Sequence, residues 1–361
     1  MGVFEAIGSD THEEVLYGAD PVSGLKTIIA IHSTALGPAL GGTRFFAYAS
    51  EASALTDVLR LSKAMSYKAA AAGLDLGGGK GVIIGEPRTL KTERLMRAYG
   101  RVVDSLGGRY VTAEDVGTTA RDMLDISRET KWVTGIPEVH GGSGDPSPAT
   151  ARGVLAAMRS VAQRLWDTDD LSGRTVAIQG VGKVGASLVQ RLSKAGAKVV
   201  VADVNDAAVA DMEREYGARP VSDTDIYDVP CDIFAPCALG GSLSRATIPR
   251  LRCRAVVGAA NNQLATEADA DRLADAGILY APDFVVNAGG IINITEELHG
   301  YSWERAAVAL DLVGDNLTRV LDAADEEGVN PNVAAIALAQ KRMVAIGGLG
   351  TRRRAGRSLA T

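Results

Sequence analysis

The sequence predicts an α/β fold of two domains separated by a cleft, and three observations support this prediction. The chain has 361 residues, more than the roughly 100 to 200 residues of a single domain. A segment rich in Gly, Pro and Ser at residues 141–148 interrupts it. Strands and helices then alternate as in a parallel sheet. We place the first domain at residues 1–147 and the second at 148–330. A C-terminal helix, at about residues 331–361, is expected to pack back near the first domain.

Composition excludes several classes of function. The net charge is −6 and the pI about 5.4, so no basic field attracts nucleic acid, and the arginines at residues 352–354 are interpreted as a solvated tail. No apolar run reaches the roughly 18 residues of a membrane span. The first residues lack the features of a signal peptide. The sequence therefore predicts a cytoplasmic protein with neither nucleic acid nor membrane as a partner.

Cysteine and histidine are scarce and scattered. The three cysteines are Cys231, Cys237 and Cys253, without a C-x-x-C pair, and the four histidines do not cluster. We therefore expect neither a disulfide framework nor a metal site. Cys237 follows an apolar run, which favours a buried thiol at the end of a strand.

The first domain opens with a β-rich run at residues 26–32 that ends in turn material at 36–42. A helix is predicted from Glu51, with Ser50 as its N-cap, and its spacing places Met65 and Lys68 on one face. Gly73 ends this helix. A loop through Gly79 is expected next. A short strand is predicted at 82–84, with Lys80 just before its start. A second helix, at about 92–106, leads to a strand at 110–113, after which Asp115 stands in a turn.

The second domain is predicted to hold a parallel sheet. A helix at about 148–165 precedes it, and two long helices, at about 303–326 and 332–346, follow it. The predicted strands are residues 175–179, 198–203, 232–235, 255–258 and 278–281.

A glycine fingerprint joins the first of these strands to a helix. It reads Gly180, Val181, Gly182, Lys183, Val184 and Gly185, and a second strand ends in Asp203, 18 residues after Gly185. Glycines in this context let a pyrophosphate approach the helix N-terminus, while the acid takes the ribose hydroxyls. The alternative is a merely structural glycine turn. Asp203 favours NAD over NADP, because its carboxylate repels a 2′-phosphate and no arginine adjoins it.

Lys68 and Lys80 are the candidates for proton chemistry. Burial and a like-charged neighbour disfavour the ammonium form, so one of the two can act as a base near neutral pH. The segment 77–81 is not a phosphate loop, because Leu74 and Gly81 stand where that motif needs Gly and Ser or Thr.

Each candidate has a simpler alternative. Lys80 could be a solvated surface lysine, and Asp115 could cap a helix. Asn261 and Asn262 follow a predicted strand, where α/β sheets bind ligands, but an Asn pair also forms turns.

The motifs together resemble the glutamate/leucine/phenylalanine/valine dehydrogenase family, and within it most resemble the leucine and valine dehydrogenases. The resemblance is collinear over essentially the whole chain. It is carried by residues 37–44, 65–68, 77–80, 112–117, 180–185, 258–263 and 280–290.

The resemblance implies reversible oxidative deamination, in which an L-amino acid, water and NAD give a 2-oxo acid, ammonia and NADH. It assigns the substrate carboxylate to Lys68, helped by Gly41 or Gly42 and Asn262, with Met65 at the same site. It makes Lys80 the base that activates water and Asp115 the group that exchanges protons with the substrate nitrogen. The nicotinamide carboxamide is assigned to Thr150 and Ser147. Further cofactor contacts are assigned to Cys237, Ala238, Ala260, Asn261 and Asn262. The resemblance also implies a homo-oligomer, dimeric or larger, assembled through the first domain.

Substrate choice follows from the side-chain pocket that the resemblance assigns to Leu40, Ala113, Ile291 and Ile294. Glutamate-specific relatives hold the side-chain carboxylate with a lysine and a serine, where this chain has Leu40 and Ile294, so glutamate is expected to be rejected. Relatives acting on leucine commonly have valine at both isoleucine positions. The longer isoleucines favour valine and similar short branched substrates over leucine. The alternatives are an aromatic (phenylalanine) dehydrogenase and a non-catalytic NAD-binding regulator.

Overall fold

The computed structural model describes residues 3–7 and 12–349. These form two compact units. The first takes in the described residues up to Asp145, together with Ile294–Ser302 and residues 339–349. The second consists of Pro146–Asn293 and Trp303–Leu338. The arginines at 352–354 and the end of the predicted C-terminal helix lie outside the described residues.

A five-stranded mixed sheet organises the first unit, in the order β1-β2-β4-β3-β5. Strands β1, β2 and β4 pair antiparallel, whereas β3 pairs parallel with both β4 and β5. The strands are β1 (Glu14–Asp20), β2 (Leu25–Ser33), β3 (Ala39–Phe46), β4 (Gly77–Ile84) and β5 (Tyr110–Glu114).

Helices cover both faces of this sheet. The helices are α1 (Val3–Ile7), α2 (Glu51–Ala71), α3 (Pro87–Leu90), α4 (Glu93–Ser105) and α5 (Ala120–Ser127). One face of the sheet packs against α2 through a core that contains Leu55, Val58 and Val82. The other packs against α4 and α5 through a second core that contains Tyr99 and Ile126. Alternate residues of each strand therefore point to α2 or to α4 and α5.

The prediction of a loop at residues 77–79 is wrong, because the glycines belong to strand β4. Glycine is unfavourable in strands, but here it permits close packing that no side chain would allow. A Cβ on Gly78 would lie 2.1 Å from the backbone nitrogen of Ser66 on α2. A Cβ on Gly79 would lie 2.6 Å from the ring of Tyr110. Helix α2 and the ring of Tyr110 therefore contact the backbone of β4 directly.

The turn predicted at residues 36–42 is shorter than expected, because β3 begins at Ala39 and includes Gly41 and Gly42. A Cβ on Gly41 would lie 1.8 Å from the carbonyl oxygen of Gly79. A Cβ on Gly42 would lie 2.4 Å from the carbonyl oxygen of Glu114. The glycines that suggested a turn are therefore positions where neighbouring strands approach closely.

The predicted helices of the first unit are confirmed, and three further helices, α1, α3 and α5, were not predicted. Helix α2 begins at the expected N-cap, where the Ser50 hydroxyl accepts from the backbone N–H of Ser53. Thr92 caps α4 and Thr119 caps α5 in the same way. Helix α5 was not predicted, because only a single short apolar face marks it.

A six-stranded parallel sheet organises the second unit, in the order β11-β10-β9-β6-β7-β8. All five predicted strands are present, although those at 255–258 and 278–281 are shorter, and β8 was not expected. The strands are β6 (Thr175–Gln179), β7 (Lys198–Ala202), β8 (Arg219–Pro220), β9 (Ile233–Pro236), β10 (Ala255–Val256) and β11 (Leu279–Tyr280).

The remaining helices flank this sheet or follow it. They are α6 (Ser147–Trp166), α7 (Lys183–Lys194), α8 (Asp206–Tyr216), α9 (Ala268–Asp275), α10 (Asp283–Val286), α11 (Gly289–Thr295), α12 (Trp303–Glu327) and α13 (Pro331–Gly347). Within the second unit, Arg152 of α6 donates two hydrogen bonds to Asp311 of α12, each 2.7 Å long. None of the described helices is long and apolar enough to cross a membrane.

Candidate active site

Lys80 lies in the middle of β4, on the face of the sheet that α2 covers. It is 6% exposed, so the alternative of a solvated surface lysine is excluded. Its neighbour across the strand pair is Gly42, whose missing side chain leaves space at that point. A Cβ on Gly42 would lie 2.9 Å from the Cβ of Asp115. The glycine therefore lets the side chains of Lys80 and Asp115 meet.

The Lys80 ammonium forms a close ion pair with Oδ2 of Asp115. Asp115 follows β5 in a turn that Thr118 holds: the Asp115 N–H donates to the Thr118 hydroxyl at 2.9 Å, and that hydroxyl lies 2.9 Å from the Thr43 carbonyl. The cap of α5 is Thr119, so the alternative reading of Asp115 as a helix cap is excluded. Hydrogen bonds within the turn and to β3 thus fix the backbone that carries the Asp115 carboxylate.

Burial governs the protonation of this pair. Complete burial lowers the pKa of Lys80 below its ordinary value, although the Asp115 carboxylate opposes the change. Burial acts on Asp115 in the opposite direction, but Lys80 and Arg44 together hold its pKa below the usual range for an aspartate. The carboxylate is therefore ionised at neutral pH, and the lysine loses its proton more readily than a solvated lysine does.

Sequence reasoning missed three residues beside this pair. Arg44 of β3 donates from Nη1 to Oδ2 of Asp57 on α2 at 2.8 Å, and its Nε lies 3.4 Å from Oδ2 of Asp115. The Tyr48 hydroxyl donates to the same oxygen of Asp57 at 2.7 Å. Arg44 and Asp57 are only 13 residues apart, but they belong to a strand and a helix, so no pattern within one element indicated their contact.

Lys68 and Met65 lie in the last two turns of α2, three residues apart on one side of the helix. Both are half-buried, beside the fully packed stripe that contains Ser62 and Ser66. The prediction that Met65 and Lys68 share a face of α2 is confirmed. This face lies at the edge of the core and is only partly buried. The carboxylate-binding role of Lys68 stays a prediction.

The residues assigned to the side-chain pocket lie in two parts of the chain. Leu40 and Ala113 are buried in β3 and β5, on the face of the sheet that α2 covers. Ile291 and Ile294 are one turn apart on α11; Ile291 is buried and Ile294 half-buried. Ile291 belongs to the second unit and Ile294 to the first.

The glycine fingerprint has the geometry of a dinucleotide-binding turn. Gly180 has φ +97°, and a Cβ there would lie 2.7 Å from the backbone nitrogen of Ala238. A Cβ on Gly185 would lie 2.0 Å from the Gly180 carbonyl, so this glycine lets α7 pack on the strand. A Cβ on Gly182 would meet no described atom within 4 Å. Gly182 caps α7 without a side-chain hydrogen bond, which leaves a cradle that suits a pyrophosphate.

Asp203 stands just after β7, facing this turn. Its Oδ2 accepts from the Val181 N–H at 2.7 Å and its Oδ1 from the Asn205 N–H at 2.9 Å. Val181 is buried, Val184 half-buried and Lys183 exposed at the first position of α7. The residues present therefore fit the phosphate and ribose parts of a dinucleotide.

The other residues assigned to the cofactor lie near the carboxyl ends of the strands or on α6. Ser147 and Thr150 occupy the first turn of α6, where the Thr150 hydroxyl donates to the Pro146 carbonyl at 3.0 Å. Cys237 follows β9, and burial raises the pKa of its thiol to about 11. Cys237 is therefore a poor nucleophile at neutral pH, as the sequence indicated.

Asn261 and Asn262 follow Ala260 in a loop after β10. Asn262 has φ +52° in a bend of the chain, and its side chain is exposed. The buried Asn287 donates to Oδ1 of Asn261 at 3.0 Å and thereby orients that amide. Asn287 was not predicted as a site residue, although it stands in one of the motifs that carried the resemblance.

Comparison with known proteins agrees with these features. Residues 12–132 match the Glu/Leu/Phe/Val dehydrogenase dimerisation domain. Residues 141–213 and 201–347 match the Glutamate/Leucine/Phenylalanine/Valine dehydrogenase domain.

Individual relatives cover nearly the whole chain. The leucine dehydrogenase of Geobacillus stearothermophilus is 50% identical over 95% of this chain and 94% of its own. The valine dehydrogenase of Streptomyces coelicolor is 52% identical over 92% of each. The crystal structure of L-tryptophan dehydrogenase from Nostoc punctiforme superposes with a TM-score of 0.86 at 42% identity, covering 96% of this chain and 99% of that one. The chain therefore belongs to the glutamate/leucine/phenylalanine/valine dehydrogenase family of amino-acid dehydrogenases.

Proposed function

We propose that the protein catalyses the reversible, NAD-dependent oxidative deamination of small branched aliphatic L-amino acids, with valine preferred. The products are a 2-oxo acid, ammonia and NADH. The observation that carries the proposal is the buried ion pair of Lys80 and Asp115 in a chain of this family. A buried lysine whose pKa is lowered is a suitable base, and a fixed carboxylate beside it is a suitable second proton carrier.

Lys80 acts on water. Once the amino acid has become an imine, the neutral Lys80 amine takes a proton from the water that attacks the imino carbon. Only the unprotonated lysine can do this, so the rate of deamination rises with pH as Lys80 loses its proton. Because burial lowers the pKa of Lys80, this rise comes at lower pH than for a solvated lysine. The reverse reaction starts from the protonated lysine and is favoured at lower pH.

Asp115 acts on nitrogen. Its ionised carboxylate accepts a proton from the substrate ammonium group before oxidation and returns a proton to the departing ammonia. The hydrogen bonds of Thr118 hold the backbone of the turn that carries this carboxylate. Two carriers are needed because water and the leaving nitrogen exchange protons in opposite directions.

The substrate carboxylate is assigned to the Lys68 ammonium, the backbone at Gly41 or Gly42, and the Asn262 amide. The Tyr110 hydroxyl donates to the Gly41 carbonyl at 2.6 Å and fixes that strand. A pre-organised cationic anchor of this kind orients the α-carbon and contributes through proximity.

NAD supplies the hydride acceptor for the α-hydrogen of the substrate. Gly180, Gly182 and the N-terminus of α7 would hold its pyrophosphate, Asp203 its ribose, and Thr150 with Ser147 its carboxamide.

Gly182→Ala tests this cofactor assignment. Gly182 has ordinary negative φ (−64°), and a Cβ there meets no described atom within 4 Å, so we expect the melting temperature to stay within about 2 °C of the parent. The added methyl group should obstruct the pyrophosphate and raise the Kd for NADH by at least about tenfold, a cost of roughly 1.4 kcal/mol. Titration of NADH fluorescence provides the measurement. An unchanged Kd in the folded variant would place the dinucleotide elsewhere.

Substrate preference is tested by Ile291→Val and Ile294→Val. Shortening each side chain by one methylene should lengthen the pocket, and one methylene is worth about 1 to 3 kcal/mol. We expect the ratio of kcat/KM for leucine over valine to rise roughly tenfold in the double variant, with glutamate still rejected. Leu40→Lys, which buries an ammonium in the same assigned pocket, should depress activity on both substrates. If the double variant keeps the parent ratio of kcat/KM for leucine over valine, and Leu40→Lys keeps the parent rate, these side chains do not form the pocket.

The proposed reaction itself is tested by the initial rate of NADH formation with valine, leucine, isoleucine, phenylalanine, tryptophan and glutamate. Valine and its branched homologues should give the highest kcat/KM. A preference for the aromatic substrates would replace the branched-chain assignment, and no oxidation of any of them would refute the proposal.

We also propose a homo-oligomer assembled through the first unit. The matched dimerisation domain covers this part of the chain. A hetero-hexameric glutamate dehydrogenase from Thermus thermophilus shares the fold at 25% identity and a TM-score of 0.76. Light scattering of the purified protein measures the state directly.

A further inference from the structure

Arg44 connects the Lys80–Asp115 pair to a second carboxylate on α2. Its Nη1 donates to Asp57 at 2.8 Å, while its Nε faces Oδ2 of Asp115 at 3.4 Å. Lys80, Asp115, Arg44 and Asp57 thus form a row of alternating charges. Four structural elements contribute to the row: β4, the turn after β5, β3 and α2.

This row is shielded from solvent. The side chains of Lys80, Asp57, Asp115 and Arg44 are 8%, 16%, 23% and 24% exposed. Charges in such surroundings are screened little by salt and interact strongly. The row therefore differs from an ordinary surface ion pair, whose contribution is small.

Arg44 Nε is a spare hydrogen-bond donor. It is buried and makes no hydrogen bond to any residue that the structure describes. Its nearest charged neighbour is the Asp115 oxygen that Lys80 holds. A buried N–H group without an acceptor is unfavourable, so this donor is poised to take the carboxylate when the lysine releases it.

The proposed reaction creates that situation in every cycle. Lys80 must enter the cycle neutral if it is to activate water later, so until Asp115 takes the proton of the substrate ammonium, its contact with the lysine does not join two opposite charges. A half-buried carboxylate without a cation is costly. Arginine stays charged far above neutral pH, so Arg44 can hold the carboxylate while Lys80 is neutral.

Resting on the function proposed above, we infer that Arg44, anchored by Asp57, is a positioning residue that keeps the ionised Asp115 carboxylate in place while Lys80 is neutral. Arg44 touches neither substrate nor cofactor in this scheme. It acts through Asp115, and through the repulsion that its positive charge exerts on the Lys80 ammonium.

The effect on protonation follows from the signs of the neighbouring charges. The Arg44 guanidinium lowers the pKa of Lys80, whereas the more distant Asp57 raises it and Asp115 raises it most. Arg44 also lowers the pKa of Asp115. Tyr48 and Arg60 face Asp57 and complete the set of titratable groups along this row. Without Arg44, Lys80 would keep its proton to higher pH.

The test compares Arg44→Met with Arg60→Met in the full-length protein. Both remove one positive charge beside Asp57, but Arg60 is 62% exposed and contacts only the far oxygen of that carboxylate. For valine oxidation, Arg44→Met should move the acid limb of the kcat/KM profile upward by about one pH unit. It should also lower the rate at neutral pH at least about tenfold, since the active fraction falls by that factor. Arg60→Met should follow the parent profile.

Arg44→Lys keeps the positive charge of Arg44 but not the shape of its guanidinium group. It therefore tests the role of Arg44 even if Arg44→Met fails to fold. A lysine keeps the charge, but its single ammonium cannot reach two carboxylates as the guanidinium does. We expect the acid limb to stay within about 0.3 pH units of the parent, because the electrostatic effect is retained. We expect kcat to fall roughly tenfold with KM for valine little changed, because Asp115 is held less well.

The outcomes separate this inference from the proposed function. A folded Arg44→Met with the parent pH profile, or Arg44→Lys with the parent kcat, would overturn the role of Arg44 even when Lys80→Ala is inactive. A parent protein that oxidises no amino acid would overturn the proposed function, and the inference with it.

Discussion

Lys80→Ala is expected to lower kcat for valine oxidation by at least about a thousandfold, the effect typical of a lost general base. The lysine is buried within β4 and paired with Asp115, and its truncation to alanine removes the amine that is proposed to take the proton from water. The dinucleotide fingerprint lies in the other unit, so NADH binding should stay within about twofold of the parent. Rapid-mixing measurement of NADH formation gives the rate, and fluorescence titration gives the Kd.

Lys26→Ala is the matched control, because Lys26 is an exposed lysine on the neighbouring strand β2 and the same atoms are removed. It should retain the parent kcat. Removal of Lys80 also leaves Asp115 without its main cation, so the folded state of each variant is checked by its melting temperature. A folded Lys80→Ala variant that keeps a tenth of the parent kcat would exclude Lys80 as the base.

NADP is expected to be a poor substitute for NAD, with kcat/KM lower by at least about a hundredfold, roughly 2.7 kcal/mol at the transition state. Two backbone N–H groups, from Val181 and Asn205, fix the Asp203 carboxylate after β7. A carboxylate in this place accepts from ribose hydroxyls and repels a 2′-phosphate. Asp203→Asn keeps an oxygen acceptor but removes the charge. We therefore expect the ratio of kcat/KM for NAD over NADP to fall at least about tenfold in this variant.

Asp206→Asn serves as the control for this change, since Asp206 is an exposed acid at the start of α8, three residues further along. It should leave the preference for NAD as in the parent. Steady-state rates with both cofactors at constant ionic strength supply the comparison. Equal kcat/KM values for NAD and NADP in the parent would show that Asp203 does not face the ribose.

Much of the second unit could be predicted because its signals are local. The strand β6, the glycines from Gly180 to Gly185 and the helix α7 follow one another without a gap, and each glycine meets a nearby backbone or an open cradle. The N-cap of α2 is equally local, since Ser50 and Ser53 satisfy each other. Patterns of this kind need no knowledge of the rest of the chain.

The strands of the first unit were harder to predict, because the close contacts of their glycines are made with residues far away in the sequence. Gly41 and Gly79 are glycines because two strands touch there, and by local preference such residues indicate a loop. Arg44 and Asp57 were missed for a related reason. Their contact links β3 to α2, and an isolated Arg or Asp is read by default as a solvated charge. Only the paired strands and the packed helix show what these residues do.

The glycine-rich pair of strands β3 and β4 also determines how this protein can acquire a new substrate. Positions 41, 42, 77, 78, 79 and 81 each leave less than 3 Å for a side chain, so this part of the site consists of main chain that substitution cannot reshape. Adaptation must therefore proceed at positions that already carry side chains, such as Leu40, Ala113 and the isoleucines of α11. On the assignments proposed above, the proton chemistry and the choice of substrate occupy separate sets of positions, so that one can change in evolution or by engineering while the other is left intact.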